Sequence, residues 1–223
     1  MGRIADLQYP EKSHRKAVAL PRYSVQLAEF FGIMMGDGGI NNPWQANITL
    51  NSIADAPYIE YVANLSQKLF GIEPAIRKQK NKQAVIVSIA STSVVDFLVS
   101  QGLPRGNKIK GDLHIPEWIW RNPSYRRACI RGLIDTDGCL YIHKHTVLGK
   151  KYENIGLCFT AYAPRLMEQA AAAFVESGIM PHISRQGRCL YLYQEAAIAR
   201  YMKIYGTSNN RISSVYRKFG GVG

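Results

Sequence analysis

An α+β fold built from two like units in tandem is predicted by three observations on this 223-residue chain. First, Phe30-Phe31-Gly32-Ile33-Met34-Met35-Gly36-Asp37-Gly38 and Ile130-Arg131-Gly132-Leu133-Ile134-Asp135-Thr136-Asp137-Gly138 are versions of one pattern: apolar run, Gly, apolar pair, small residue, Asp, Gly. Second, Gly71-Ile72-Glu73-Pro74-Ala75-Ile76 returns 107 positions later as Gly178-Ile179-Met180-Pro181-His182-Ile183. Third, helical and alternating apolar periods follow one another in the same order in both halves: helix, two strands, helix, two strands, helix.

Residues 1–22 hold Pro10, Pro21 and scattered charge without a sustained period, and they read as an N-terminal arm. The first unit spans 23–102. Ser24 is placed to cap a helix running through the first motif, with Gly38 and Gly39 expected as a left-handed stop. Strands follow at 39–42 and 45–53. Asp55-Ala56-Pro57 opens a second helix that Gly71 ends. A hairpin turns at Asn81-Lys82 between 74–80 and 83–90, and a third helix over 93–101 closes at Gly102. Residues 103–122, with Pro104, Gly106, Gly111 and Pro116, form the expected linker. The second unit spans 123–206, and 207–223 is a basic C-terminal segment. Ala56-Pro57 matches Ala163-Pro164 at an offset of 107, whereas the motif acids are offset by 100, so about seven extra residues are expected in a loop at 144–152.

Lys and Arg number 28 against 16 Asp and Glu, and the sequence pI is about 9.6. Up to Lys110 the count is 13 against 8, and beyond it 15 against 8. Both halves are basic, so the expected partner is an extended polyanion that touches both, and nucleic acid is the usual one. Cys129, Cys139, Cys158 and Cys189 lack the close pairs of a thiol zinc site. The five histidines show no metalloprotease spacing. With no apolar run long enough for a membrane span, the chain reads as soluble and intracellular, in cytoplasm, nucleoid or an organelle matrix.

The small residues of each motif stand one helical turn apart, Gly32 with Gly36 and Gly132 with Thr136, and make a stripe that admits a close helix neighbour. If the two motif helices pack on each other in the same direction, Asp37 and Asp137 meet at their C-terminal ends. That end of a helix carries negative partial charge, so two more anions there call for cations. Mg²⁺, which takes few carboxylates and keeps waters and phosphate oxygens, suits such a site. Asp135 has Met35 as its counterpart, so it falls outside the symmetric pair and is assigned to local hydrogen bonding or charge balance.

On these motifs the chain resembles the LAGLIDADG homing endonucleases in their single-chain form with two motifs. Arg131-Gly132-Leu133-Ile134-Asp135-Thr136-Asp137-Gly138 is the closest stretch; in the first motif Met35 and Gly36 depart from the usual spelling. The resemblance implies two αββαββα units with four-stranded, saddle-shaped antiparallel sheets on the DNA major groove. It also implies hydrolysis of both strands across the minor groove, in the service of intron mobility. Metal, Mg²⁺ with Mn²⁺ as a substitute, would be held by Asp37, Asp137 and the main-chain oxygens of Gly36 and Thr136. Lys108 and Arg211, by position after each unit's last helix, are the basic residues expected near the scissile phosphates. Asn51 and Thr160 are weaker candidates for organising water. Arg77, Lys78, Lys80, Lys82, Ser88, Lys144, Lys150, Lys151, Arg185, Arg188, Tyr191 and Tyr193 are expected to contact DNA, as base readers or phosphate contacts. The partner would be an asymmetric duplex of about 20 bp bound by a monomer. An RNA maturase acting on intron RNA and a non-catalytic DNA-binding regulator are the alternatives.

Overall fold

Helix α1 (Val25–Gly36) begins at its cap, where Ser24 Oγ accepts from the Leu27 N–H at 3.1 Å. It is buried on every side from Leu27 to Met35, which its uniformly apolar sequence requires. A computed structural model describes residues 18 and 20–220 of the chain, so most of the expected arm lies outside the described residues. The left-handed stop expected at Gly38 and Gly39 is absent. Asp37 caps the helix at φ −84°, and strand β1 (Gly38–Asn42) starts at once. Gly38 is needed for space instead: a Cβ there would lie 2.5 Å from Met34 Cα, because the chain folds straight back over the helix's last turn.

Strand β2 (Gln45–Asn51) leads to helix α2 (Ala56–Phe70), which ends on Gly71 at φ 65°. Strands β3 (Ala75–Lys78) and β4 (Ala84–Ala90) flank a turn with Asn81 at φ 60°. Helix α3 (Thr92–Ser100) is capped by Ser91, two residues before the expected start. The sheet order is β1-β2-β4-β3 with every pair antiparallel. One face, with Ile48, Leu50, Val85, Val87 and Ile89, joins the core, and the other is open.

The segment expected as linker contains a short helix, α4 (Glu117–Trp120). Trp118 stacks on Tyr23 at 4.3 Å and meets Phe31 and Tyr125 edge-on at 5.3 and 5.9 Å, so the linker packs against both halves. Helix α5 (Pro123–Asp137), capped by Asn122, carries the second motif. Strands β5 (Gly138–Val147) and β6 (Lys150–Thr160) then form a long hairpin through Leu148 and Gly149, at φ 48° and 76°. The extra residues therefore lie in paired strands and not in the loop expected at 144–152. Two successive positive φ values match the right-handed twist of the strands and let the pairing reach the turn. Helix α6 (Pro164–Glu176), strands β7 (His182–Ile183) and β8 (Cys189–Leu192) and helix α7 (Glu195–Ile204) complete the unit, with sheet order β5-β6-β8-β7. The basic C-terminal segment holds a further helix, α8 (Asn210–Lys218), which the charge reading did not include. Among the described residues no helix is long and apolar enough to cross a membrane.

Candidate active site

Helices α1 and α5 run the same way and touch backbone to backbone. A Cβ on Gly32 would lie 2.1 Å from the Cys129 carbonyl oxygen, and one on Gly132 would lie 2.4 Å from that of Glu29. These are equivalent contacts, since Glu29 and Cys129 hold the same place in the two motifs. One turn on, Thr136 Oγ1 fills the space at Gly36, with Asp137 Oδ2 just beyond at 3.4 Å from where a Gly36 Cβ would stand. Thr136 Oγ1 bonds back to the Gly132 and Leu133 carbonyls at 2.9 and 3.0 Å. Two stripes of small residues, Gly32 with Gly36 and Gly132 with Thr136, thus bring Asp37 and Asp137, one acid from each half, to a shared end.

Burial, then the Asp137 carboxylate and Asp55, push Asp37 up to about 7, against the pull of Lys108 and Arg211. Burial pushes Asp137 up to about 6, with Lys108 opposing. Two desolvated acids so placed favour either a proton or a cation. The Lys108 ammonium supplies one positive charge, donating to the Met35 carbonyl at 2.9 Å and to that of Gly36. Its own pKa is lowered by burial while Asp137 and Asp37 raise it. In the other half Arg211 Nη2 donates at 3.2 Å to the carbonyl of Asp135, the equivalent of Met35. Arg211 Nη1 also reaches the Gly138 carbonyl at 3.0 Å. Lys108 and Arg211 therefore cap the two motif helices in related ways.

Asp135 points away from the acid pair. It accepts from Thr207 Oγ1 and, at 2.7 Å, from the Ser208 N–H, so it fastens the segment that carries Arg211. Burial raises its pKa to about 7. Glu29, fully buried in α1, binds Arg131, Tyr61 at 2.8 Å and Ser208 at 2.7 Å. Its acid inside an apolar run was the available sequence signal. Asp55 is a second acid that sequence reasoning treated only as part of a helix start; its side chain makes no cap bond and reaches Arg211 instead.

Pair register sorts the expected DNA-contacting residues by face. Arg77 lies on the open face of the first sheet, opposite Ile86, whereas Ser88, on the same side opposite Asn47, is buried and donates from Oγ to Asn47 Oδ1 at 2.8 Å, so the expectation that it contacts DNA is not met. Lys78 pairs with Val85 and so alternates to the core side, while Lys80 and Lys82 sit in the turn. In the second sheet Lys150 and Tyr191 share the open face, Tyr191 opposite Cys158 and stacked on Tyr193 at 5.4 Å. Lys144 and Lys151 alternate to the other side, and Lys144 is paired with Glu153 at 2.6 Å. Arg185 is in the β7–β8 turn, and Arg188 lies over the Tyr162 ring at 5.3 Å. Asn51 Oδ1 accepts from the Ile53 and Ala54 N–H groups at 2.9 Å, which commits it to the turn; Thr160 contacts Cys189 Sγ at 3.6 Å. Gln45 and Asn47 on the open face were missed because an exposed amide in a strand carries no distinctive pattern.

No group of three or more His, Cys, Asp or Glu side chains able to hold a metal forms among the described residues. A cation at the acid pair would thus have one carboxylate per half, with carbonyl, water and phosphate oxygens completing its shell. That donor set suits Mg²⁺. The ammonium of Lys108 on the Gly36 carbonyl marks the same spot as one that attracts positive charge.

Two αββαββα halves joined through parallel, glycine-packed motif helices define the LAGLIDADG fold in its single-chain form. Solved structures, homing endonucleases of that class among them, match the chain. The I-LtrWI LAGLIDADG homing endonuclease bound to target DNA matches at a TM-score of 0.57 and 11% identity, over 88% of this chain and 89% of its own. I-SmaMI, bound to an uncleaved DNA target in the presence of calcium ions, matches at 0.57 and 11% identity over 86% and 88%. Full-length DUF199/WhiA from Thermatoga maritima matches at 0.53 and 14% identity over 92% of this chain and 64% of its own. No family model matches the chain.

Proposed function

We propose that the chain is a single-chain LAGLIDADG homing endonuclease that cuts both strands of a long, asymmetric DNA site across the minor groove and so promotes the mobility of a host intron. The observation that carries this reading is the meeting of Asp37 and Asp137, one from each half, beside Lys108 at the shared end of α1 and α5. The fold shared with DNA-bound nucleases supports it, as does the excess of basic residues in both halves.

In this reading Asp37 and Asp137 hold divalent metal, Mg²⁺ or Mn²⁺, together with the carbonyl oxygens of Gly36 and Thr136. The bound metal supplies activation of water and neutralisation of the leaving oxygen. The chain's own part is to exclude water, fix the two acids and present cationic groups to the phosphates. Lys108, whose ammonium rests on the Met35 and Gly36 carbonyls beside the acid pair, would present its charge to a phosphate oxygen. Arg211 takes the corresponding place in the second half. On the sheets, Arg77, Lys150 and Tyr191 face the DNA, with Lys80, Lys82, Arg185 and Arg188 extending from turns to bases or phosphates. Lys78, Lys144 and Lys151, on the reverse face, would reach DNA only from the strand ends. A monomer suffices, because each half supplies one acid and one sheet.

Cleavage of a randomised double-stranded DNA library with Mg²⁺, with selection of cut molecules, tests the proposal. The wild type is expected to yield one asymmetric site, and Asp37→Asn and Asp137→Asn are expected to lose cutting while still binding it. Undiminished cutting by both variants refutes the metal assignment. A wild type that cuts no DNA but binds intron RNA tightly points to the maturase, and one that binds DNA without cutting points to the regulator.

A further inference from the structure

We propose that Asp55 is a positioning residue that tethers Arg211 and makes the two strand cuts unequal, an inference that rests on the nuclease reading. Lys108 and Arg211 hold related places, but their surroundings differ. Lys108 donates only to main-chain carbonyls in the bonds it makes, those of Met35 and Gly36, and both motif acids act on it. Arg211 is held by a carboxylate as well. Its Nε donates to Asp55 Oδ1 at 3.1 Å while its two terminal nitrogens hold the Gly138 and Asp135 carbonyls.

Asp55 is itself fixed on every side. The same Oδ1 accepts from Asn209 Nδ2 at 2.9 Å, and Oδ2 accepts from the Asn51 N–H at 3.2 Å. Asn209 in turn caps α8 through the Arg211 N–H at 2.9 Å and donates to the Asp135 carbonyl at 2.9 Å. The Asp55 side chain is 10% exposed and that of Arg211 26%, so the pair is only weakly screened by solvent. Among the described residues no equivalent tether holds Lys108 in the other half. At the offset of 107 that aligns Ala56-Pro57 with Ala163-Pro164, the counterpart of Asp55 is Tyr162, whose side chain faces solvent.

A guanidinium hydrogen-bonded to a carboxylate has less to offer a developing phosphate charge than a lysine whose hydrogen bonds go to carbonyl oxygens alone. The strand served by Arg211 is therefore cut second, and a nicked duplex accumulates. The tether also removes Arg211 from the charges that displace counterions when DNA binds.

Both consequences are measurable on the site selected from the library, with the two strands labelled differently. In rapid-quench time courses the wild type is expected to cut one strand at least about threefold faster than the other. Asp55→Asn should raise the slower rate relative to the faster until the two agree within about twofold, and because Asp55 also acts on Asp37 the ratio of the two rates is the readout. Arg211→Gln should stop the slower cut and spare the faster. Without metal, the slope of log affinity against log salt should steepen by about 1 in Asp55→Asn, as one more phosphate contact forms. A melting curve checks that Asp55→Asn folds; if it does not, the wild-type rate ratio and Arg211→Gln decide. Equal strand rates in the wild type, or equal effects of Arg211→Gln on both strands, overturn the proposal. An unchanged salt slope in a folded Asp55→Asn overturns the tether while leaving the nuclease reading intact. Absence of all cleavage overturns the nuclease reading and the strand asymmetry together.

Discussion

Replacing Gly132 by Ala tests the close approach of α1 and α5 directly. The added methyl would stand 2.4 Å from the Glu29 carbonyl oxygen and 2.9 Å from the Ile33 nitrogen, both main-chain atoms that no side-chain rotation can move. An ordinary carbon contact needs about 3.5 Å, so the helices must part locally by about 1 Å. Overpacking of this kind costs about 1–3 kcal/mol, and a backbone clash between two central helices belongs at the upper end. The same displacement separates Asp137 from Asp37, and a shift of about 1 Å in reacting geometry lowers catalysis by about a hundredfold. Urea unfolding should show a lowered midpoint with an unchanged slope, and cleavage of the selected site should fall by more than the loss of folded protein explains. Gly39→Ala is the control, since its methyl meets only Asn41 Nδ2, at 3.8 Å. A Gly132→Ala protein with stability within about 0.5 kcal/mol of wild type would refute the packing argument.

Metal-free stability should fall as pH rises from about 4 to about 7, because native Asp37 and Asp137, with pKa values pushed to about 7 and about 6, keep protons that the unfolded chain has lost. Asp37→Asn should therefore melt higher than wild type at pH 8 in chelator; a lower melting temperature would contradict the desolvated acid pair. Asn209→Ala should cost about 2–3 kcal/mol in chemical unfolding, since it strips buried bonds from Asp55 and the Asp135 carbonyl and removes the α8 cap. A loss below about 1 kcal/mol would mean that the C-terminal segment is not held through this residue.

Much of the fold was legible because its signals are local. Ser24, Pro57, Gly71 and Gly102 act through their own backbone conformation or capping capacity, and each marks a boundary within a residue or two of where the element ends. The errors came where a residue's reason is a distant neighbour. Gly38 looked like a left-handed stop, but it is small because Met34 lies against it. The extra residues of the second half looked like a loop, yet strand pairing across Leu148 and Gly149 extends them. Helix α8 was hidden by its charge: few of its side chains are buried, and its place depends on Asn209 reaching the Asp55 carboxylate and the Asp135 main-chain carbonyl, 154 and 74 positions away.

By itself the sequence determined that two copies of one unit exist, that each carries a glycine-spaced apolar helix, and that Asp37 and Asp137, without Asp135, are the matched acids. Repetition makes this visible, since chance does not place the same spacing twice. Tertiary structure alone decided what surrounds those acids. That Lys108 lies on Gly36, that Asp55 holds Arg211, and that Lys78, Lys144 and Lys151 turn from the open faces all follow from strand register and helix packing. A carboxylate's partner is chosen by distance and desolvation in three dimensions, and neither quantity is written in residue spacing.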